Sequence, residues 1–283
     1  VERSRGLGDV YKRQELEGQR PLPDSIVTIA DILRSKGYKT GMFGKWGLGA
    51  PNTNSIPNNK GFDFFYGYNC QRQAHTFFPT HLWKNKERHI LENRIVNKGK
   101  LPSNLDPNNE ESYINYNQKD YAPTLIHQEA LKFIERNKDE KFFVYYASPI
   151  PHLPLQAPAI WVNYYREKFG DEEPYTGGSG YYPNQYPKAT YAAMISYLDQ
   201  QVGELVQKLK EIGKYENTLI IFSSDNGPTH IKHVDIDFFN SAGPFLNSEN
   251  TVKGNLNEGG IRVPTIVSWP DVIPSGSESN HLS

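Results

Sequence analysis

The sequence contains a single cysteine, Cys70, among its 283 residues. One cysteine excludes an internal disulfide framework and any zinc site built from several cysteines. A lone cysteine is more often a small buried residue than a nucleophile, and we interpret Cys70 in that way. The cysteine count does not decide the cellular compartment.

The chain also lacks an excess of charge and any long apolar run. Its 31 basic residues are balanced by 32 acidic residues, so no electrostatic footprint for nucleic acid is present and we expect no nucleic-acid partner. No apolar segment approaches membrane-spanning length and no signal peptide is recognisable, so we expect no membrane partner. The hydrophobic content of 37% suffices for a sizeable core, in one large α/β domain or two smaller ones.

Three segments combine a helical pattern with a following strand, which favours an α/β fold with a mostly parallel central sheet flanked by helices. The apolar periodicity predicts helices starting at Asp24 or Ser25 and ending at Gly37, around residues 126–134, and over residues 191–212. Strands are predicted at residues 39–43, 142–147, 218–222 and 265–269. The third of these is short and apolar enough to be a buried parallel strand.

A long irregular excursion separates the first two of these segments. Residues 50–120 are predicted to be mostly loop and short strands, with a core-directed run at 61–68 and an exposed polar loop at 104–117. Long excursions inside α/β domains are more often functional than idle. The run at 70–75 supplies several polar side chains, and we take Arg72 and His75 as substrate-binding candidates.

Each helix–strand segment ends in a loop that carries a polar candidate. These candidates are Lys45, His152 and the pair Asp225 and Asn226. Because the carboxyl ends of parallel strands meet at one edge of a sheet, we expect them to converge. An imidazole, a lysine and oxygen ligands for a hard cation would suit cleavage of an anionic ester. Taken singly, each residue could equally be a surface lysine, a loop histidine or an Asx turn.

A second polar segment follows about thirty residues after Asp225 and Asn226. It contains Lys253-Gly254 and then the run from Glu258 to Pro264, which includes paired glycines. Paired glycines allow a close approach of backbones, and the lysine can lie beside an anion.

Four ordered motifs in these segments resemble type I sulfatases of the alkaline-phosphatase-like superfamily. They are G-K-W followed by G-L-G at 44–49, A-S-x-x-x-H-x-P at 147–154, S-D-N-G-P at 224–228, and K-G-x-x-x-E-G-G-x-R-V-P at 253–264. The resemblance covers roughly residues 20–270. The run C-Q-R-Q-A-H at 70–75 is also similar to sulfatases of polysaccharide-degrading bacteria that act on sulfated galactose-type sugars.

The resemblance implies roles for the candidates. Asp225 and Asn226 correspond to calcium ligands, Lys45 and Lys253 to lysines that hold the sulfate, and His152 to the histidine near the leaving-group oxygen. In this family a formylglycine hydrate attacks sulfur, the alcohol departs, and the sulfated hemiacetal collapses to release sulfate. The family's substrates imply a sulfated sugar or an aryl sulfate as partner, and a periplasmic or secreted location.

Several further residues near the motifs are given lesser roles. Arg262 is expected to support the site by pairing with a carboxylate. Substrate-recognition candidates near the motifs, each of which could equally be a polar surface residue, are His75, His230, Asp235 and Asp237.

Three departures from the family pattern change what we expect of this polypeptide. No C/S-x-P/A-x-R motif supplies a formylglycine, the aspartate pair that provides the other calcium ligands has no counterpart, and Gly47 stands where the family commonly has a histidine. His75 or another group could replace that imidazole. We expect a non-native leader at residues 1–14 and, over 15–283, a partial catalytic domain without the nucleophile segment and the C-terminal subdomain, giving an incomplete fold.

The incomplete ligand set makes a specific expectation for the isolated polypeptide: weak calcium binding and no sulfatase activity. Measurable turnover of an aryl sulfate by it would overturn that expectation. Two alternatives to a sulfatase stay open from the sequence, a phosphodiesterase or phosphonate hydrolase of the same superfamily and a non-catalytic sugar-binding homologue. The sequence predicts neither the sugar, nor the sulfate position, nor the oligomeric state.

Overall fold

The computed structural model describes residues 19–178, 180–245 and 252–279. The chain divides into two compact units, residues 1–202 and residues 203–283. The expected leader at residues 1–14 lies outside the described residues. Within the described ranges, no helix combines the length and the apolar character needed to cross a membrane.

The first unit contains most of the regular structure. Its elements in chain order are α1 (Ile29–Ser35), β1 (Lys39–Lys45), β2 (Phe64–Tyr68), β3 (His81–Lys84), β4 (Glu87–Ile90), α2 (Ala122–Arg136), β5 (Phe142–Ala147), α3 (Ala159–Phe169) and the first part of α4 (Pro187–Glu211). Three short 3₁₀ helices are added at Pro57–Asn59, Gln73–His75 and Glu110–Tyr116. The sequence patterns did not predict α3, which buries no residue and so lacks a clear apolar stripe.

A five-stranded sheet with the order β4-β3-β2-β1-β5 forms the centre of this unit. β1 pairs in parallel with both β2 and β5. β3 and β4 extend the sheet beyond β2 by antiparallel pairing. The predicted α/β class, with a parallel centre and flanking helices, is therefore confirmed.

Helices α1 and α2 cover opposite faces of β1. Met42 packs in a buried cluster with Ala30 of α1 and with Phe65, whereas the next residue, Phe43, packs edge-on against Phe133 of α2 at a ring distance of 5.5 Å. Successive side chains of a strand point to opposite faces, so this alternation places one helix on each side. The core thus lies on both faces of the central strands.

Two glycines let the central strands approach each other where the candidate site begins. Gly44 has a φ of +115°, and a Cβ there would lie 1.9 Å from the carbonyl oxygen of Ala147. A Cβ on its strand partner Gly67 would lie 1.9 Å from the oxygen of Gly44. Only glycine fits both positions, so the backbone just before Lys45 is fixed by its neighbours.

The start of α1 was predicted wrongly, whereas its end is confirmed. Thr28 caps the helix, because its hydroxyl accepts the N–H of Asp31 at 3.1 Å and the Asp31 carboxylate accepts the N–H of Thr28 at 3.0 Å. This reciprocal capping box supplies partners for backbone N–H groups at the start of the helix. The helix therefore begins after Thr28 and not at Asp24 or Ser25. Gly37 ends the helix with φ +82° and a bond from its N–H to Arg34.

The excursion at 50–120 contains β2, β3 and β4 between loops, as predicted, and the run at 61–68 is confirmed as core-directed. The predicted exposed loop at 104–117 is wrong in part. Residues Glu110–Tyr116 form a 3₁₀ helix in which Ser112 and Tyr113 are buried. The polar composition of this segment gave no sign of the helix. The helix is held in place by the hydrogen bond that the Tyr113 hydroxyl donates to the Pro107 carbonyl at 3.0 Å.

The second unit is small and has its own short sheet. Its elements are the end of α4, β6 (Ile220–Phe222), α5 (Ile236–Phe239), α6 (Glu258–Ile261) and β7 (Ile266–Ser268), with 3₁₀ helices at Lys232–Val234 and Gly243–Phe245. β6 pairs antiparallel with β7, in the register Ile221 to Val267, and Ile221 is 63% exposed. The prediction of a buried parallel strand at 218–222 is therefore wrong. A short apolar run specifies a strand but not its partner or direction, which depend on tertiary pairing.

Candidate functional site

Lys45 is the last residue of β1, at the edge of the sheet where the strand enters the glycine-rich turn. It lies opposite Tyr68 of β2, and the N–H of Trp46 donates to the Tyr68 carbonyl at 2.9 Å. The indole N–H of Trp46 donates to the Ser55 carbonyl at 2.7 Å and fixes the following turn. The half-buried lysine is thus presented from a rigid backbone, as a site for an anion requires.

His152 lies in the proline-rich loop that follows β5. Its backbone N–H donates to the Pro149 carbonyl at 3.1 Å. Its Nδ1 lies 2.7 Å from the carbonyl oxygen of Leu153, and since a carbonyl can only accept, Nδ1 carries the proton. Nε2 is therefore the proton-accepting nitrogen of the neutral ring. The sequence-based expectation of an aimed histidine fits this geometry.

The ring of His75 stacks on the ring of His152. The two ring centroids lie 5.4 Å apart with planes inclined by 14°. Tyr181 contacts both rings, at 5.7 Å from His75 and 6.5 Å from His152. We call His75, His152 and Tyr181 the ring cluster. Tyr181 was not singled out from the sequence, because its loop shows no pattern that distinguishes it from neighbouring tyrosines.

One buried glutamine joins the two loops that carry these histidines. Gln156 is 2% exposed, and its Oε1 accepts the N–H of Phe77 at 2.8 Å. Its side-chain amide donates to the Tyr116 carbonyl at 2.5 Å, and its own carbonyl accepts from the Tyr121 hydroxyl at 2.7 Å. A buried amide with all these bonds is costly to replace, so Gln156 positions the His75 and His152 segments.

Gln19 fills the space beside Gly47, where the family commonly has a histidine. Gly47 has φ +75°, and a Cβ there would lie 2.5 Å from Oε1 of Gln19. The Gln19 side chain is fixed by two bonds to Gln71: its Nε2 donates to Oε1 at 2.7 Å and its Oε1 accepts the N–H at 3.1 Å. An amide pair therefore occupies this place. That His75 replaces the missing imidazole remains a prediction.

In the second unit, Asp225 and Asn226 lie on the loop after β6. The Asn226 side-chain amide donates to the Gly227 carbonyl at 2.9 Å, which fixes the side chain so that its Oδ1 is the group available for a ligand. Ser224 Oγ donates to the Asn226 carbonyl at 2.9 Å. Asp225 is exposed. The loop therefore offers two oxygen ligands close together in sequence.

Lys253 is tied to the same loop. Its N–H donates to the Pro228 carbonyl at 2.9 Å. Burial lowers the pKa of Lys253, and the nearby charge of Asp225 opposes that shift. The backbone bond to Pro228 holds Lys253 against the loop that carries Asp225. That the two residues serve one site remains a prediction.

Glycines make this association possible. The N–H of Gly227 donates to the Gly260 carbonyl at 2.9 Å, and a Cβ on Gly227 would lie 1.9 Å from the Gly259 oxygen. A Cβ on Gly260 would lie 2.2 Å from the Asn255 oxygen. The close backbone approach predicted for the paired glycines is thus observed.

Other candidates of the second unit have ordinary structural surroundings. Arg262 forms an ion pair with Glu258 on the exposed face of α6, which agrees with the predicted carboxylate pairing. His230 is exposed, and Asp235 caps α5 by accepting the N–H of Phe238 at 3.0 Å. No sequence pattern singled out His233, whose pKa is lowered to about 4 by burial, so that its ring is neutral at physiological pH.

The oxygen ligands fit part of a calcium site. Calcium takes six to eight oxygens, and Asp225 and Asn226 supply a carboxylate and an amide oxygen of the right type. No group of three or more His, Cys, Asp or Glu side chains within the described ranges is arranged to hold a metal ion. The residues therefore suit one side of a calcium site.

The structure brings the candidates together in two groups. β1 and β5 are parallel neighbours, so the loops of Lys45 and His152 leave the same edge of one sheet, as predicted. β6 belongs to the two-stranded sheet, so the predicted alignment of all three strands in one sheet is wrong for the loop of Asp225 and Asn226. Cys70 is fully buried, as its interpretation as a core residue requires.

Comparison with known proteins identifies the family. The model of the sulfatase family matches residues 4–283. The chain is 28% identical to N-acetylgalactosamine-6-sulfatase of Homo sapiens, over 97% of this chain and 45% of that protein. It is 26% identical to arylsulfatase G of Mus musculus, over 92% of this chain and 47% of that protein.

Solved structures agree. The crystal structure of Ps i-CgsB superposes with a TM-score of 0.67 at 26% identity, over 93% of this chain and 51% of that one. The chain spans about half the length of the curated relatives it matches. The motifs, the fold and these matches lead to one conclusion: the chain belongs to the sulfatase family, as a type I sulfatase of the alkaline-phosphatase-like superfamily.

Proposed function

We propose that the protein is a sulfuric ester hydrolase that removes sulfate from a sulfated carbohydrate. The observation that carries this proposal is the position of Lys253 beside the loop of Asp225 and Asn226. A lysine next to hard oxygen ligands suits an ester whose transferring group carries negative charge. Membership of the sulfatase family favours sulfate over phosphate as that group.

Within the first unit, Lys45 offsets charge on the sulfate oxygens and His152 donates a proton to the departing alcohol oxygen. Lys253 belongs to the second unit, where its positive charge lies beside the Asp225 loop. The bond from Nδ1 to the Leu153 carbonyl persists in the imidazolium form, so Nε2 can carry and release that proton without reorienting the ring. The nucleophile, a formylglycine in this family, is not assigned to any residue of this chain.

We further propose that Asp225 and Asn226 are calcium ligands. When bound, the ion would add positive charge beside the sulfate. The bond from Asn226 to Gly227 supports this role, because it fixes the amide with Oδ1 available.

A sulfated sugar is the favoured substrate class. One relative is N-acetylgalactosamine-6-sulfatase of Homo sapiens, and the structure of Ps i-CgsB is a complex with k-i-k-neocarrahexaose. In this chain, the ring cluster offers aromatic faces of the kind on which a pyranose packs. A periplasmic or secreted location, where sulfated polysaccharides are met, completes the proposal.

Matched esters test the proposed function. The full-length protein is assayed with 4-nitrophenyl sulfate, 4-nitrophenyl phosphate and bis(4-nitrophenyl) phosphate, alone and as the Asp225→Ala variant. We expect the sulfate ester to have the highest kcat/KM and the variant to lose at least about 100-fold. A higher kcat/KM for either phosphate ester would favour the phosphodiesterase alternative, and sugar binding without turnover of any ester would favour a binding protein.

A further inference from the structure

Two cationic side chains outside the proposed catalytic residues lie near each other in the first unit. Arg72 immediately precedes the 3₁₀ helix Gln73–His75, and Lys98 lies in the irregular segment before Leu101. Crowding by protein atoms and, second, the positive charge of Arg72 lower the pKa of Lys98 to about 8. Both residues nevertheless keep solvent access. The protein therefore holds two like charges close enough to repel each other at a surface that a ligand can reach.

Among the described residues, no carboxylate pairs with either cation. Within residues 19–178, 180–245 and 252–279, neither Arg72 nor Lys98 forms an ion pair with an aspartate or a glutamate. Like charges held together disfavour the charged state, whereas an anion bound between them favours it. The guanidinium adds a planar fork of donors, which matches the oxygens of a sulfate or a carboxylate.

Packing holds Lys98 in place. Its Nζ lies 5.8 Å from the ring centroid of Tyr182, which is a buried residue. The Tyr182 hydroxyl donates to the Val96 carbonyl at 3.3 Å, and the N–H of Leu101 donates to the Thr176 carbonyl at 2.7 Å. Lys98 is thus carried by a segment fixed at both ends, unlike a typical surface lysine.

The same packing connects both cations to the ring cluster. Arg72 is separated from His75 by only two residues of the short helix. Tyr182, beneath Lys98, directly follows Tyr181, which contacts both His75 and His152. An anion held by Arg72 and Lys98 would therefore lie beside the rings proposed to contact the sugar.

We propose that Arg72 and Lys98 form a second anion subsite, which binds a sulfate ester or carboxylate on the sugar next to the one whose sulfate is removed. This subsite rests on the proposed function and deepens it, because it makes the substrate an oligosaccharide with at least two negative groups. Arg72 and Lys98 then determine specificity and take no part in the chemistry of the scissile ester.

The test compares substrates with one and two anionic groups in the full-length protein. Variants Arg72→Gln and Lys98→Met are assayed on a disulfated disaccharide, on a monosulfated disaccharide containing a uronate, and on 4-nitrophenyl sulfate. We expect KM for a doubly anionic substrate to rise about tenfold in each variant, corresponding to about 1.4 kcal/mol, with a much smaller effect on the aryl sulfate. Whichever disaccharide shows the rise identifies a sulfate or a carboxylate as the bound group.

Lys100→Met is the matched control, since Lys100 is an exposed lysine of the same segment. We expect it to leave all three substrates unaffected. Equal losses on the aryl sulfate and the disaccharides, or no rise in KM for either disaccharide, would overturn the subsite.

Calorimetry separates failure of the subsite from failure of the proposed function. If the wild type hydrolyses none of these esters, the proposed function fails, and binding of the disulfated disaccharide is compared for the wild type and Lys98→Met. Binding that weakens about tenfold in the variant would still support the subsite, whereas equal binding or no binding would overturn it.

Discussion

The rings of His75 and His152 stack with their centroids 5.4 Å apart and their planes inclined by 14°. The two residues come from loops far apart in the chain, and Gln156 joins these loops through the N–H of Phe77. The stack therefore fixes the plane of the His152 ring, while the bond to Leu153 fixes its tautomer. The tautomer and the ring plane of His152 are therefore set before a substrate binds.

His152→Ala should reduce hydrolysis most for the esters with the poorest leaving groups. We expect kcat/KM of the full-length protein to fall by about 10²–10⁴-fold on a sugar sulfate, because an alkoxide leaves poorly without a proton. The loss on 4-nitrophenyl sulfate should be much smaller, since nitrophenolate is a stable anion. Steady-state kinetics on the two esters provide the comparison.

His75→Ala is the control for the leaving-group experiment. It removes the stacked neighbour but keeps the acid, so any loss should be similar for both esters. Equal losses of kcat/KM on the two esters in His152→Ala would contradict the role of His152 as proton donor. Normal turnover by His75→Ala would count against His75 as the replacement for the missing imidazole.

Gly47→His should destabilise the protein without raising its activity, although it recreates the residue common in the family. A side chain would meet Oε1 of Gln19 and would adopt φ +75°, which costs about 1–3 kcal/mol for a residue other than glycine. Thermal unfolding of Gly47→His, and of Gly47→His combined with Gln19→Ala, separates the cost of the contact with Gln19 from the cost of the positive φ. A gain in kcat by the single variant would show that the amide pair is dispensable.

Gly260→Ala should weaken calcium binding by the full-length protein. Its Cβ would lie 2.2 Å from the Asn255 oxygen, so the backbone beside Lys253 and the Asp225 loop must shift, at a cost of about 1–3 kcal/mol. Gly203→Ala is the control, because a Cβ there meets no heavy atom of the described residues within 4 Å. In helix α4 this alanine should stabilise by about 0.5–1 kcal/mol. Calcium affinity unchanged in Gly260→Ala would contradict the role of this close approach.

Binding of a doubly anionic substrate should weaken above pH 8. The pKa of Lys98 is lowered to about 8 by crowding of protein atoms around it and, second, by the charge of Arg72, so the free protein loses this positive charge as the pH rises through that value. The lowered pKa also means that the charged lysine costs stability below pH 8, and this cost disappears as the pH rises towards the ordinary lysine pKa near 10.5. Lys98 faces Arg72 and the ring of Tyr182, and neither supplies a compensating negative charge at this pH.

The measurement is KM for the disulfated disaccharide from pH 7 to pH 9.5, for the wild type and for Lys98→Arg. The arginine stays charged over this range, so its KM should rise less. At pH 7, Lys98→Met should unfold at the wild-type temperature or above. A parallel rise in KM for Lys98→Arg, or a lower unfolding temperature for Lys98→Met, would assign Lys98 a structural role.

Local patterns predicted the elements that carry the first group of site residues. β1 and β5 are apolar runs that end in glycine-rich or proline-rich turns, so Lys45 and His152 could be placed at strand ends from the sequence. The pairing of β6 with β7 could not be predicted, because the direction of a strand is set by its partner. The amide pair beside Gly47 could not be predicted either, because Gln19 and Gln71 are 52 residues apart and no local pattern joins them.

Only one of the two residues of the proposed anion subsite could be chosen from the sequence. Arg72 lies in a polar run that resembles polysaccharide sulfatases, so it could be chosen as a candidate. Lys98 lies in a segment without periodicity, and only its packing on Tyr182 and its proximity to Arg72 distinguish it from other surface lysines. Such long-range contacts have no local signature.

The most direct test of the account is the inorganic sulfate released from a sulfated oligosaccharide by the full-length protein, measured by ion chromatography beside its Lys253→Ala variant. The account predicts sulfate release by the wild type and a loss of at least about 100-fold in the variant, because the lysine beside Asp225 no longer offsets the charge of the transferring group. No sulfate release by the wild type, or equal release by the variant, would contradict it.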